Sequence, residues 1–287
     1  MKRNLIILLN NIPKWLKRTL KILLSVVFAV VIVMGIVYVL QRYAAHSDKP
    51  FTPEYDRVEL SDTTDYETIF LQTGLGKPAA EKLIHENRFD EILKAQDLFF
   101  KNDEIECYPL MWWLTREDRL SNELITFYDL QPGDILVTLS THSFGWRHGH
   151  AAIVLNDLET VESIMLGCDS SKENIYYWQD YSNFALLRVK NKTEEERAAV
   201  ADFSLSKLIG KPYSIFSGFK GKKAPDIDSN NLTLQCSYLA WYAWNSFGVD
   251  LDSDGGRLVT TYDILHSDKV EIVQLYGLDA KAFLSNK

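Results

Sequence analysis

Nineteen consecutive residues, Ile22 to Leu40, carry no charge. Coiled as a helix rising about 1.5 Å per residue, such a run spans roughly the 30 Å hydrocarbon core of a bilayer. It is expected to be a transmembrane anchor, which confines the folded part of the chain to one side of a membrane. Lys14, Lys17, Arg18 and Lys21 precede the run, against Arg42 and Lys49 after it. The positive-inside rule then makes residues 1–21 a basic cytoplasmic N-terminus and places all that follows the anchor at 22–40 outside the cytoplasm. The competing reading is a cleaved signal peptide. Its apolar core usually runs only about 7 to 15 residues, and Tyr43, Ala44 and Ala45 are the only stretch with small residues for cleavage, so retention is expected.

Charge divides the chain in the same place. Residues 1–50 hold eight of the 31 Lys and Arg but one acid, Asp48, which leaves residues 51–287 with 23 basic and 38 acidic residues, a net −15. A domain so acidic has no electrostatic footprint for nucleic acid and is repelled by anionic headgroups. Neutral or cationic substrates suit it better. The remaining length, with 46% hydrophobic residues, suffices for one globular core.

Residues 41–64 are polar, contain Pro50 and Pro53, and suit an extended linker. From 65 to 122 the pattern predicts a helical arm packed on the globular domain that follows. Pro78 stands where a first-turn proline belongs, and Ile92, Leu93, Leu98, Phe99 and Phe100 recur at helical spacing. Trp112 and Trp113 are expected as packing anchors of that arm. After Gly133 the signal becomes strand-like over 134–139, 148–155, 160–166 and 184–190, helical over 194–209, and helical again over 235–247 with Gly248 as a left-handed cap. Strands followed by helices on one core predict an α+β domain over 123–287.

Cys236 falls in the first turn of the last helix, where unpaired amides and the macrodipole favour a thiolate. Leu239, Ala240, Ala243 and Phe247 share its stripe, so a small buried core residue fits the same spacing. His148, His150, Ala152 and Val154 alternate onto one face of a strand, offering a general base, two of three metal ligands, or histidines at a strand edge. Zinc lacks support, because neither HExxH nor CxxC occurs, and His142 and His266 stand at no diagnostic spacing. Glu162, in the following strand, can orient an imidazole or simply face solvent. Asp250, Asp252, Asp254 and Gly255 imitate a calcium loop, but Thr261 stands where its bidentate glutamate belongs. An Asp-rich turn is the simpler reading. Of the three cysteines, Cys107 and Cys168 are available to pair with each other.

Taken together, GDIL at Gly133 to Leu136, GHAAIVL at Gly149 to Leu155, GKPYS at Gly210 to Ser214 and CSYLAWYAW at Cys236 to Trp244 resemble the NlpC-type papain-like cysteine hydrolases. The order, histidine strand before cysteine helix, resembles the circularly permuted YiiX-like branch. TTYDIL at Thr260 to Leu265 is a weaker match, and the resemblance covers roughly residues 128–275. It implies a permuted papain-like domain preceded by the arm and the anchor, with Cys236 as nucleophile, His150 as base, Glu162 as third member and Tyr213 near the site. The implied chemistry is acyl transfer without metal or organic cofactor, on a peptidoglycan peptide or another amide or ester. The rival readings are a lipid acyl hydrolase or acyltransferase and an inactive surface-binding module.

Overall fold

The computed structural model describes residues 13–47, 51–111, 113–121, 123–219 and 221–284, with backbone alone over 40–47. The uncharged run lies within one helix, α1 (Lys14–Ser47). Its stretch from Lys14 to Val39 is long and apolar enough to cross a membrane, and none of it is buried. The predicted basic N-terminus falls largely outside the described residues.

The arm is helical only as far as Phe99. Three short helices, α2 (Tyr66–Thr73), α3 (Lys77–His85) and α4 (Phe89–Phe99), follow the expected signals: Asp65 accepts from Thr68 N, Gly74 closes α2 in the left-handed region at φ 72°, and Pro78 sits in the first turn of α3. Next comes an antiparallel hairpin, β1 (Glu104–Met111) and β2 (Leu114–Leu120), where the sequence reading expected helix to residue 122. The reason is legible afterwards, since Glu104 to Pro109 alternates polar and apolar at period two and Pro109 cannot sit inside a helix. Trp112 lies outside the described residues; Trp113 stacks on Phe144 at 5.9 Å.

The chain continues through β3 (Ile135–Thr138), β4 (Thr141–Ser143), β5 (Trp146–Arg147), β6 (His150–Val154), β7 (Glu159–Glu162), β8 (Ser171–Asn174), β9 (Phe184–Val189), α5 (Glu194–Phe203), α6 (Cys236–Asn245), α7 (Thr261–Leu265), β10 (Val270–Tyr276) and α8 (Ala280–Leu284). A six-stranded sheet has the order β10-β9-β3-β6-β7-β8, every pair antiparallel, and a four-stranded one runs β1-β2-β4-β5. The fold is thus α+β. Strands β4, β5, β8 and β10 were not anticipated.

Both faces of the large sheet are covered. Val137, Ala151 and Ile153 pack with Leu239, Ala240 and Trp244 of α6. Leu136, Ala152 and Val154 pack with Ile69, Leu83 and Ile92 of the N-terminal helices. The helices drawn as an arm therefore form one layer of the same core. Entry into β3 is fixed by Gly133, at φ 82°, where a Cβ would lie 2.4 Å from the Arg197 carbonyl. Asp134 beside it is fully buried, accepts from Gln131 N at 2.9 Å, and takes Arg188 of β9 through both carboxylate oxygens at 2.9 and 2.7 Å.

Candidate active site

Sheet register brings two of the expected residues together. Ala152 of β6 stands opposite Glu162 of β7. His150 lies two residues before Ala152 on the same face, so it is a diagonal neighbour of Glu162, within reach of a long side chain. His150 Nε2 meets Glu162 Oε2 at 2.6 Å, with both side chains buried.

The nucleophile candidate arrives from the other layer. The body of α6 packs on the opposite sheet face, but Cys236 is the first residue of the helix and His150 the first of β6. Each is therefore reachable around the end of the sheet. Gln235 caps the helix by accepting from Ser237 N at 3.3 Å, and the Cys236 thiol points to its Oε1 at 3.4 Å. The imidazole also hydrogen bonds the Cys236 sulfur. With Nε2 engaged by Glu162, Nδ1 is the nitrogen left to meet the thiol.

Electrostatics follow from that sandwich. Burial pushes the Cys236 thiol up, but the His150 hydrogen bond and charge, with amides of Ala151 and Ser237 aimed at the sulfur, bring it below its usual value. For His150, burial acts downward and is outweighed by Cys236 and Glu162, which raise it to about 10. Glu162 is held below the ordinary carboxylate range: burial opposes this, and the His150 contact outweighs it. The arrangement favours a thiolate–imidazolium pair backed by an ionised carboxylate.

Glu162 is held by more than the histidine. Trp178 Nε1 donates to its Oε1 at 2.8 Å, and the Thr160 and Tyr177 hydroxyls donate as well. Trp178 also stacks on the His150 ring at 5.6 Å and 22°. Both aromatic residues come from a single 3₁₀ turn, Ile175–Gln179, capped by Asn174. Sequence reasoning passed over them. Their one signal is an aromatic cluster, Tyr176 to Trp178, in an otherwise polar segment.

His148 does not continue the alternation of β6, because Gly149 between the two histidines adopts φ 73°. A Cβ there would stand 2.3 Å from the Thr138 carbonyl. The His148 Nδ1 donates to Gly149 O at 2.6 Å, which leaves Nε2 to accept from the Ser143 hydroxyl at 2.9 Å. Burial brings it down to about 4, so its ring is neutral.

Cys236, His150, His148 and Tyr213 all line one cavity of about 250 Å³. Its other walls are largely apolar, with Leu110, Leu114, Ile164 and Met165 among them. Tyr213 pairs with Leu234, just before the cysteine helix, and burial raises its hydroxyl. Cys107 and Cys168 are not joined, and no disulfide links any of the three cysteines. Phe247, expected on the cysteine stripe, lies beyond the end of α6 and is exposed, packing on Phe203 at 5.7 Å. In the Asp-rich loop, one carboxylate oxygen from each of Asp252, Asp254 and Asp263 lies within 4.8 Å of the others. Asp250 accepts from Trp241 Nε1 at 2.7 Å, Asp252 holds Lys223, Asp254 accepts from Gly256 N at 2.6 Å, and Asp263 caps α7.

No protein-family model matches this sequence, and no curated protein matches it. Among solved structures the chain is similar to one described as the crystal structure of metalloprotein yiiX from Escherichia coli O157:H7. The two are 13% identical with a TM-score of 0.39, the likeness covering 51% of this chain and 97% of that one.

Proposed function

We propose that this chain is a membrane-anchored cysteine hydrolase with a circularly permuted papain-like site, acting outside the cytoplasmic membrane. The observation that carries the reading is the position of His150 between the Cys236 thiol and the Glu162 carboxylate at the wall of a cavity. In the reaction the Cys236 thiolate attacks the carbonyl of an amide, and the Ala151 and Ser237 amides beside the sulfur stabilise negative charge there. His150 gives its proton to the leaving nitrogen as the thioester forms. Water, deprotonated by His150, then releases the acid and restores the thiol. Glu162 stabilises the imidazolium and fixes its orientation.

The substrate we favour is a peptidoglycan stem peptide or a similar amide, which the proposed topology places within reach. A lipid ester is the second reading, and the apolar wall of Leu110, Leu114, Ile164 and Met165 favours it. Purified full-length protein offered cell-wall peptides and phospholipids in parallel separates the two. Release of a new amine from the peptides, abolished by Cys236→Ser, supports the first reading; release of fatty acid supports the second. Hydrolysis of either that survives Cys236→Ser would overturn the mechanism.

A further inference from the structure

Three of the segments that line the cavity differ in charge from the rest of the domain, while Glu173 lines it from a fourth. Residues 107–114, 141–148 and 213–223, 27 in all, contain no Asp or Glu, where 38 acids over the 237 residues of 51–287 lead to an expectation of about four. The same runs hold eight aromatic residues and four cations, of which Arg147 and Lys223 pair with Glu117 and Asp252.

These runs meet around one opening. Leu110, Leu114, Thr141, His148 and Tyr213 all line the cavity. On one side the turns of β1-β2 and β4-β5 lie together, since Phe144 N donates to Trp113 O at 2.8 Å and Leu114 stands opposite Ser143. Their tips expose Met111, Phe144 and Trp146, the last 82% exposed. On the other side, two residues beyond Tyr213, Ile215, Phe216 and Phe219 are exposed as well. Large aromatic and aliphatic side chains grouped on three segments that themselves carry no acid match the bilayer interface, where amphipathic rings gain and carboxylates are repelled.

The tether keeps the domain close to any membrane that holds α1. Only residues 48–50 separate the end of α1 from Phe51, which packs on Phe99 at 6.5 Å. Ser47 and Phe51 are therefore at most about 14 Å apart at full extension. We infer that the rim of the cavity docks on the bilayer that holds α1, with the β1-β2 and β4-β5 tips and the 215–219 loop seated among the headgroups. The inference rests on α1 lying in that bilayer, and holds whichever bond Cys236 attacks.

The test uses the full chain in vesicles of phosphatidylethanolamine and phosphatidylglycerol that contain a phospholipid with a photoactivatable diazirine high on its acyl chain. After illumination, labelled peptides are mapped by mass spectrometry. Labels are expected in 107–114, 141–148 and 213–223 as well as in Ile22 to Leu40, with α5 at background. Trp146→Glu with Phe216→Glu, both at exposed positions, should reduce the rim labels to background and leave the anchor labels and the circular dichroism unchanged. Labels confined to Ile22 to Leu40 would overturn the docking while retaining the anchor. Labels absent from Ile22 to Leu40 too would remove the anchor and the docking together. Rim peptides cross-linked to a second copy of the chain in place of lipid would make this face a self-association surface and also overturn the proposal.

Discussion

At the residue scale the central group is Glu162, a fully buried carboxylate that receives His150, Thr160, Tyr177 and Trp178. Glu162→Gln keeps the volume but replaces an acceptor oxygen with a donor facing other donors. Turnover on an amide substrate should fall by at least about a hundredfold, by analogy with triads that lose their orienting carboxylate. The same variant has a stability signature whose sign is fixed. The folded-state value lies below the ordinary 4.5, so the stabilisation is fully present above 4.5 and is lost as pH falls through the depressed value. In urea unfolding, the gap between wild type and Glu162→Gln should be widest near neutrality and shrink in acid; a gap that grows in acid refutes the ionised carboxylate. The two histidines should part as sharply. His150→Ala should lose about 10² to 10⁴ in rate, whereas His148→Ala, which removes a neutral ring bonded to Ser143, should retain measurable activity. Equal losses would mean the base is misassigned. Finally, iodoacetamide near pH 6 should modify Cys236 before exposed Cys168, because the His150 contact and the Ala151 and Ser237 amides favour the thiolate at Cys236. Preferential labelling of Cys168 would leave Cys236 a core residue.

Elements explain how much of this was readable beforehand. The cysteine helix was legible because its start, its apolar run and Gly248 beyond its end are all local signals; the structure shortens it only to Cys236–Asn245. The His150 strand was equally plain, yet Gly149 was read as an ordinary strand residue, and its φ of 73° is what separates His148 from the alternation. Gly149→Ala should cost about 1 to 3 kcal/mol from the left-handed backbone alone, with a further loss because its Cβ would meet Thr138 O at 2.3 Å. A melting temperature unchanged by that substitution would contradict the geometry. The hairpin at Glu104 to Leu120 was lost to helical reading because aromatic and apolar residues are dense there and the two periods compete. Tyr177 and Trp178 escaped for another reason. Their role depends on a long-range contact between a 3₁₀ turn and the face of β7, and no spacing within the sequence encodes it.

For the whole molecule, the topology proposed here has a direct check. Protease added to intact, wall-stripped cells should digest the domain, and full protection of residues 50–287 would reverse the orientation. Sequence alone marked the apolar run and read the N-terminal helices as an arm packed on the domain; their apolar stripes revealed burial without revealing the partner surface. That partner is the sheet face that bears His150 and Glu162, while Cys236 descends from the helix on the opposite face. On the proposed mechanism, a nucleophile assembled across two layers is latent until the last of them docks. A nascent or partly unfolded chain carries only an ordinary thiol, and chemical competence becomes a report on complete folding. Alkylation of Cys236 at pH 6, followed across a urea titration, should therefore collapse at the same midpoint as global unfolding; reactivity that outlives the tertiary structure would show that helix and thiol suffice without the sheet.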